Sequence, residues 1–178
     1  MASENYYAEV KILEVHPSLI EEDDPEYYVD QDVLVKTEEG RKFWLYDQPP
    51  HASEEMEGKT KKLVITTNNG WGRYRIQKIR RDAGGIMRRI FGPPRPGIKK
   101  IFSGPDRINN ELLLVGEVKK LRKAGDKNSN QYELVLDAGF GLVLEVFVEK
   151  EPEPLEIKEG DLIKLRTSRP TLHKILED

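Results

Sequence analysis

Lys42, Trp44 and Tyr46 alternate with Phe43 and Leu45. On an extended chain that spacing puts the cation and the two large rings on one side and the purely apolar pair on the other. Rings in such a row can stack on nucleobases, and an ammonium beside them can neutralise a phosphate. A second group, Trp71, Arg73, Tyr74 and Arg75, mixes the same chemistries and is followed by Lys78, Arg80 and Arg81. A third lies in two similar strings, Gly85-Ile86-Met87-Arg88-Arg89-Ile90-Phe91-Gly92 and Gly97-Ile98-Lys99-Lys100-Ile101-Phe102-Ser103-Gly104. Pro93-Pro94-Arg95-Pro96 separates them. We expect Arg73, Arg75, Lys78, Arg80, Arg81, Arg88, Arg89, Lys99 and Lys100, with Lys42, to contact phosphates. Trp44, Tyr46, Trp71 and Tyr74 are the expected stacking rings.

Charge is distributed in blocks. Residues 1–70 carry 7 basic and 16 acidic side chains, residues 71–107 carry 11 and 2, and residues 108–178 carry 11 and 14. A near-neutral total of −3 thus hides a central segment of about +9, and a field of that density concerns partners more than fold. The cations have three possible uses: an external polyanion, the chain's own acidic surfaces or a partner protein, and an anionic membrane surface. Apolar stripes only a few residues wide disfavour the last.

Catalysis has little to build on. With no cysteine, disulfides, thiolate metal sites and a cysteine nucleophile are excluded. His16, His51 and His173 are far apart and lack metal-ligand spacing, which reads as surface or loop placement. No phosphate-cradling glycine loop is present. Glu21-Glu22-Asp23-Asp24 lacks the alternating ligands and glycine of a calcium loop. Pro105-Asp106 followed by Glu117-Val118-Lys119 has the order of a metal-dependent nuclease signature. Glu9-Val10-Lys11 repeats its second half with no Pro-Asp before it, so a strand explains both. We therefore expect no enzyme, no cofactor and no metal.

The elements that must position these residues are strands. Val33 and Val35 alternate with Asp32, Leu34 and Lys36; Glu38-Glu39-Gly40 makes a turn; Phe43 and Leu45 then alternate with Lys42, Trp44 and Tyr46. Tyr132, Leu134 and Leu136 alternate in the same way, Ala138-Gly139-Phe140-Gly141 is a turn, and Leu142, Leu144, Val146 and Val148 are expected to form the next buried face. Glu145 and Glu149 would then point outward and repel phosphates. Trp44 points outward in this phase, although a slip of one residue would bury it. In the basic segment, Ile86, Ile90 and Phe91, and Ile98, Ile101 and Phe102, have the spacing of short helical turns.

Three strings recur in order. Glu9-Val10-Lys11 matches Glu117-Val118-Lys119, Glu57-Gly58-Lys59 matches Glu159-Gly160-Asp161, and Arg73 to Ile79 matches Arg169 to Ile175, at offsets of 108, 102 and 96. Two copies of about five strands each are expected, at 5–80 and 110–178, joined by a basic connector at 81–109. Trp71, after Asn68-Asn69-Gly70, would serve equally as a plug over a barrel end.

Gly116-Glu117-Val118, Tyr132-Glu133-Leu134-Val135-Leu136-Asp137 and Ile157 through Leu165 resemble the oligonucleotide/oligosaccharide-binding (OB) fold, in particular its single-stranded-DNA-binding and replication-protein-A class. The resemblance covers most of the second copy and, less clearly, the first; SH3-like barrels use similar strings. It implies an all-β chain of two tandem small barrels. We expect non-enzymatic binding of single-stranded DNA or RNA with low sequence preference, by the first barrel and the connector. The alternative is a protein–protein adaptor with no nucleic-acid ligand, and self-association fits either. The longest apolar run is too short for a membrane span, and Met-Ala-Ser-Glu-Asn does not begin a signal peptide, so a cytoplasmic protein is expected. Abundant Glu and Lys fit a heat-adapted chain.

Overall fold

A computed structural model describes residues 6–17, 31–48, 50–69, 76–79, 95–102, 111–123, 131–148 and 157–177. Their strands are β1 (Ala8–Pro17), β2 (Gln31–Lys36), β3 (Lys42–Asp47), β4 (Thr60–Asn69), β5 (Ile76–Ile79), β6 (Gly97–Phe102), β7 (Glu111–Lys123), β8 (Gln131–Asp137), β9 (Leu142–Val148) and β10 (Leu162–Ile175). A 3-10 turn at Glu54–Met56 precedes β4. The described residues are thus all-β, and none of their helices is long and apolar enough to cross a membrane.

Five of these segments close a barrel. β1 pairs antiparallel with β2 and β4, β2 with β3, and the end of β10 closes the ring between β4 and β3. The β10–β3 contact is parallel, Thr171 beside Tyr46. Closure leaves no open edge around the ring. Period-2 alternation fills the interior: Val10 and Ile12, Val33 and Val35, Phe43 and Leu45, Leu63 and Ile65, and Leu172 are all buried. This barrel is compatible with an OB-like fold.

The barrel's fifth strand comes from the far end of the chain. Residues 171–175 pair with Leu63–Thr66. The segment expected to close the first barrel, 76–79, lies instead beside Leu162–Leu165 of β10. The second half is tied to the same two strands. β7, β8 and β9 form a meander; β9 runs parallel to Ile65–Asn69 of β4, and β7 runs antiparallel to Leu162–Ser168 of β10. Strand pairing therefore crosses both boundaries drawn around the basic connector.

One arrangement of bonds occurs twice. Ile12 N–H donates to Lys59 O and Gly58 N–H to Ile12 O; Val118 N–H donates to Asp161 O and Gly160 N–H to Val118 O. Each sits at a β-bulge, between Ile12 and Glu14 and between Val118 and Lys120. Glu57-Gly58-Lys59 and Glu159-Gly160-Asp161 thus make equivalent backbone bonds. Ile12 corresponds to Val118, however, so the first-strand match moves by two residues from Glu9/Glu117.

Two expectations change. In β9, Val143 and Glu145 are buried and Leu142, Leu144 and Val146 are half-buried, the reverse of the expected phase. Both faces of β9 carry apolar residues, so alternation alone does not choose between them, and a one-residue slip exchanges every side chain. Glu145 accordingly points inward. In the basic segment, Gly97–Phe102 is a strand beside Glu111–Val115, not a helical turn. Ladder bonds to β7 satisfy its backbone and outweigh a weak helical spacing. The first string, Gly85–Gly92, lies outside the described residues.

The β8–β9 turn locks the halves together. Gly141 bridges to Ala8, and Leu142 N–H donates to Tyr7 O at 3.0 Å. Phe140 packs on the core ring of Phe43, with centroids 5.6 Å apart. Gly141 has φ +138°, and a Cβ there would lie 2.4 Å from Ala8 Cα, so this contact requires glycine.

Candidate nucleic-acid interface

The outer face of β1, β2 and β3 is set by the interior. Because Phe43, Leu45, Val33 and Val35 point in, Lys42, Trp44 and Tyr46 of β3 and Asp32, Leu34 and Lys36 of β2 point out. On β1 the bulge changes the phase. Val10 and Ile12 are buried before it and Val15 after it, so Lys11, Glu14 and His16 all reach the outer face. Without the bulge His16 would point into the barrel.

Register arranges these side chains in three rows: Lys11–Lys36–Lys42, then Glu14–Leu34–Trp44, then His16–Asp32–Tyr46. Three strands at about 4.8 Å spacing spread the lysine row over roughly 10 Å. Lys11 and Lys42 are exposed and Lys36 is half-buried; none of the three forms an ion pair among the described residues. Trp44 is half-buried, with the His16 ring edge-on at 5.5 Å. Tyr46 donates its hydroxyl to Gln48 Oε1. Glu14 stands in the middle row, 3.6 Å from His16 Nε2, and Asp32 in the row farthest from the lysines.

Asp47 holds this end of β3. Its buried carboxylate accepts bonds from Gln31 Nε2 at 2.6 Å, from the backbone of His51 and Ala52 at 2.9 Å, and pairs with His51 Nδ1 at 2.7 Å. Gln31 also donates to Ala52 O at 2.7 Å. The loop after β3 is thereby tied to the start of β2, which fixes the neighbourhood of Tyr46. Sequence reading missed this network; its signal is an acid placed just before Pro49-Pro50 and His51, where free N–H groups need an acceptor.

A cleft of about 670 Å³ adjoins the lysine row. Tyr7, Lys11, Lys36 and Thr60 line it together with Phe140, and Glu9, Glu38 and Glu39 add negative charge at its walls.

Among the expected site residues, the structure brings Lys42, Trp44 and Tyr46 together. Lys11, Lys36 and His16 join them, found only through strand register. Lys99 and Lys100 are exposed on β6, away from this face. Lys78 lies on β5, its side chain outside the described residues. Trp71, Arg73, Tyr74, Arg75, Arg80, Arg81, Arg88 and Arg89 lie outside the described residues altogether. Own-chain neutralisation takes Arg122 to Glu133 and Arg166 to Glu111, each at 2.5 Å, and Lys119 to Glu117 at 3.3 Å. The last pair spans the Glu-x-Lys string of the nuclease-like signature. Of the histidines, His173 is exposed while His16 and His51 are half-buried with the partners given above.

Glu145 is fully buried. Thr67 donates its hydroxyl to Oε2, and burial pushes the carboxyl well above the usual carboxylate range. Thr167 approaches closely enough to oppose that shift, yet its Oγ1 and Glu145 Oε1 complete no hydrogen bond of standard geometry.

Comparison with protein-family models, with curated proteins and with solved structures finds no match for this chain.

Proposed function

We propose that the outer face of β1, β2 and β3 binds single-stranded nucleic acid, DNA or RNA, with low sequence preference and without catalysis, in a cytoplasmic protein. The observation that carries this reading is the lysine row set beside Trp44 and Tyr46. Stacked rings tolerate any base, because every base has a π-face, while ammonium groups follow the backbone. OB-type barrels use this face for such ligands.

The architecture behind the proposal is a pair of OB-like barrels that exchange their fifth strands. In it, 171–175 completes the first barrel and 76–79 packs beside the fourth strand of the second. Support comes from the twice-used bulge bonds and from the matching parallel contacts, Thr171 beside Tyr46 and Asn69 beside Phe147.

A protein partner is the second reading, favoured by Glu14 and Asp32 on the face and by the acids around the cleft. A fluorescence titration separates the two. The chain has two tryptophans, so Trp71→Phe leaves Trp44 as the sole reporter. With a mixed-sequence hexamer of deoxynucleotides at low salt we expect quenching and a salt-dependent affinity. Three cations correspond to a log–log slope of about −2 for a single strand, and Lys11, Lys36 and Lys42 changed together to Glu should remove it. Unchanged fluorescence and no salt-dependent binding at low salt would leave the adaptor reading.

A further inference from the structure

We infer that the outer surface of β6, β7 and β10 is a second backbone-binding site for the same single strand, with Lys100 and Arg166 as its phosphate contacts and Phe102 as the ring that holds them. The inference rests on the proposed nucleic-acid reading and adds a site to it. Register places Lys100, Leu113 and Arg166 in one row and Phe102, Glu111 and Ser168 in the next. Arg166 Cζ lies 4.2 Å from the centroid of the Phe102 ring, and Lys100 Nζ lies 4.8 Å from the same centroid. Two cations share this ring, and Glu111 offsets the charge of only one of them.

Arg166 is set in two directions. Its face meets Phe102, and its Nε donates to Glu111 at 2.5 Å. A guanidinium so held keeps its terminal N–H groups for an outside oxygen and loses little rotamer freedom on binding. Lys164, one turn of the pleat away on β10, and Lys99, at the bulge of β6, are exposed and add charge of the same sign. Among the described residues of this surface, Lys99, Lys100, Lys164 and Arg166 outnumber the acids Glu111 and Glu117, and Glu117 already pairs with Lys119. A phosphodiester contacting Lys100 and the terminal N–H groups of Arg166 neutralises the charge that Glu111 leaves over. A polyanion with evenly spaced charges suits the patch because the cations extend along it.

β10 also connects this site to the first. Thr171 lies beside Tyr46, and five steps along the strand from Arg166 span roughly 17 Å. One oligonucleotide longer than a single barrel's site, about 4–16 nucleotides, reaches both.

The test compares the hexamer with a 30-nucleotide strand of deoxythymidine, binding to the full chain carrying Trp71→Phe. Lys100→Ala with Arg166→Gln should weaken the 30-mer by tenfold or more at 50 mM salt and lower the slope by about 1.4, while leaving hexamer quenching unchanged. Lys164→Glu, an exposed single change, should weaken the 30-mer in the same direction and serves if the double variant fails to fold. An unchanged 30-mer affinity with hexamer quenching intact refutes the second site and spares the first. A variant-sensitive 30-mer with no hexamer binding keeps this site and overturns the β1–β2–β3 face. Competition by poly-glutamate as effective as by unlabelled strand assigns the patch to an acidic protein segment and ends the proposal.

Discussion

Glu145 carries the clearest single-residue consequence. Burial pushes its carboxyl well above the usual carboxylate range, whereas in the unfolded chain it ionises near the ordinary value of about 4.3. The folded state therefore binds the extra proton. Stability is highest below the unfolded value, falls as pH rises through the window between the two values, and then levels off with the ionisation penalty fully present. The slope within the window is at most about 1.4 kcal/mol per pH unit for one proton. Glu145→Gln should flatten the pH dependence of the denaturation midpoint above the ordinary carboxylate value of about 4.3; an unaltered profile would show that burial does not raise this carboxyl. The inward direction of Glu145 was not legible in the sequence, because nothing local marks which face of β9 meets Thr67.

At the scale of elements, turn and bulge positions decide more than strand propensity. The β8–β9 turn meets β1 at Gly141, where φ is +138° and a Cβ would strike Ala8. Gly141→Ala should destabilise the chain by about 2 kcal/mol or more, read as a lowered unfolding midpoint, through strain and separation of the halves. Retention of the wild-type midpoint would mean that the Ala8 contact yields without cost. The bulge in β1 has the opposite character: it brings His16 beside Trp44 and is invisible in hydrophobic periodicity, which slips by one across it. β2 and β3 were legible, since Val33, Val35, Phe43 and Leu45 make a wholly apolar inner face while Asp32, Lys36 and Lys42 mark the other. Gly97–Phe102 was misread because its short apolar spacing fits a helical turn as well as a strand.

At the scale of the whole molecule, β4 and β10 each belong to both halves, so the halves are expected to unfold together. Calorimetry should give one transition, and a chain ending at residue 80 should stay unfolded by circular dichroism, because it lacks the strand 171–175 that closes its barrel. Two separate transitions, or a folded fragment, would contradict that coupling. The residues themselves determined the all-β class, the recurring Glu-Gly turn and the outward row of Lys42, Trp44 and Tyr46, because period-2 alternation and glycine turns are local properties. Only tertiary structure decided which strand closes the barrel, that Glu145 faces inward, and that Lys11 and Lys36 stand beside Lys42. Those outcomes depend on register and closure between segments as much as a hundred residues apart, and no local pattern encodes a pairing partner.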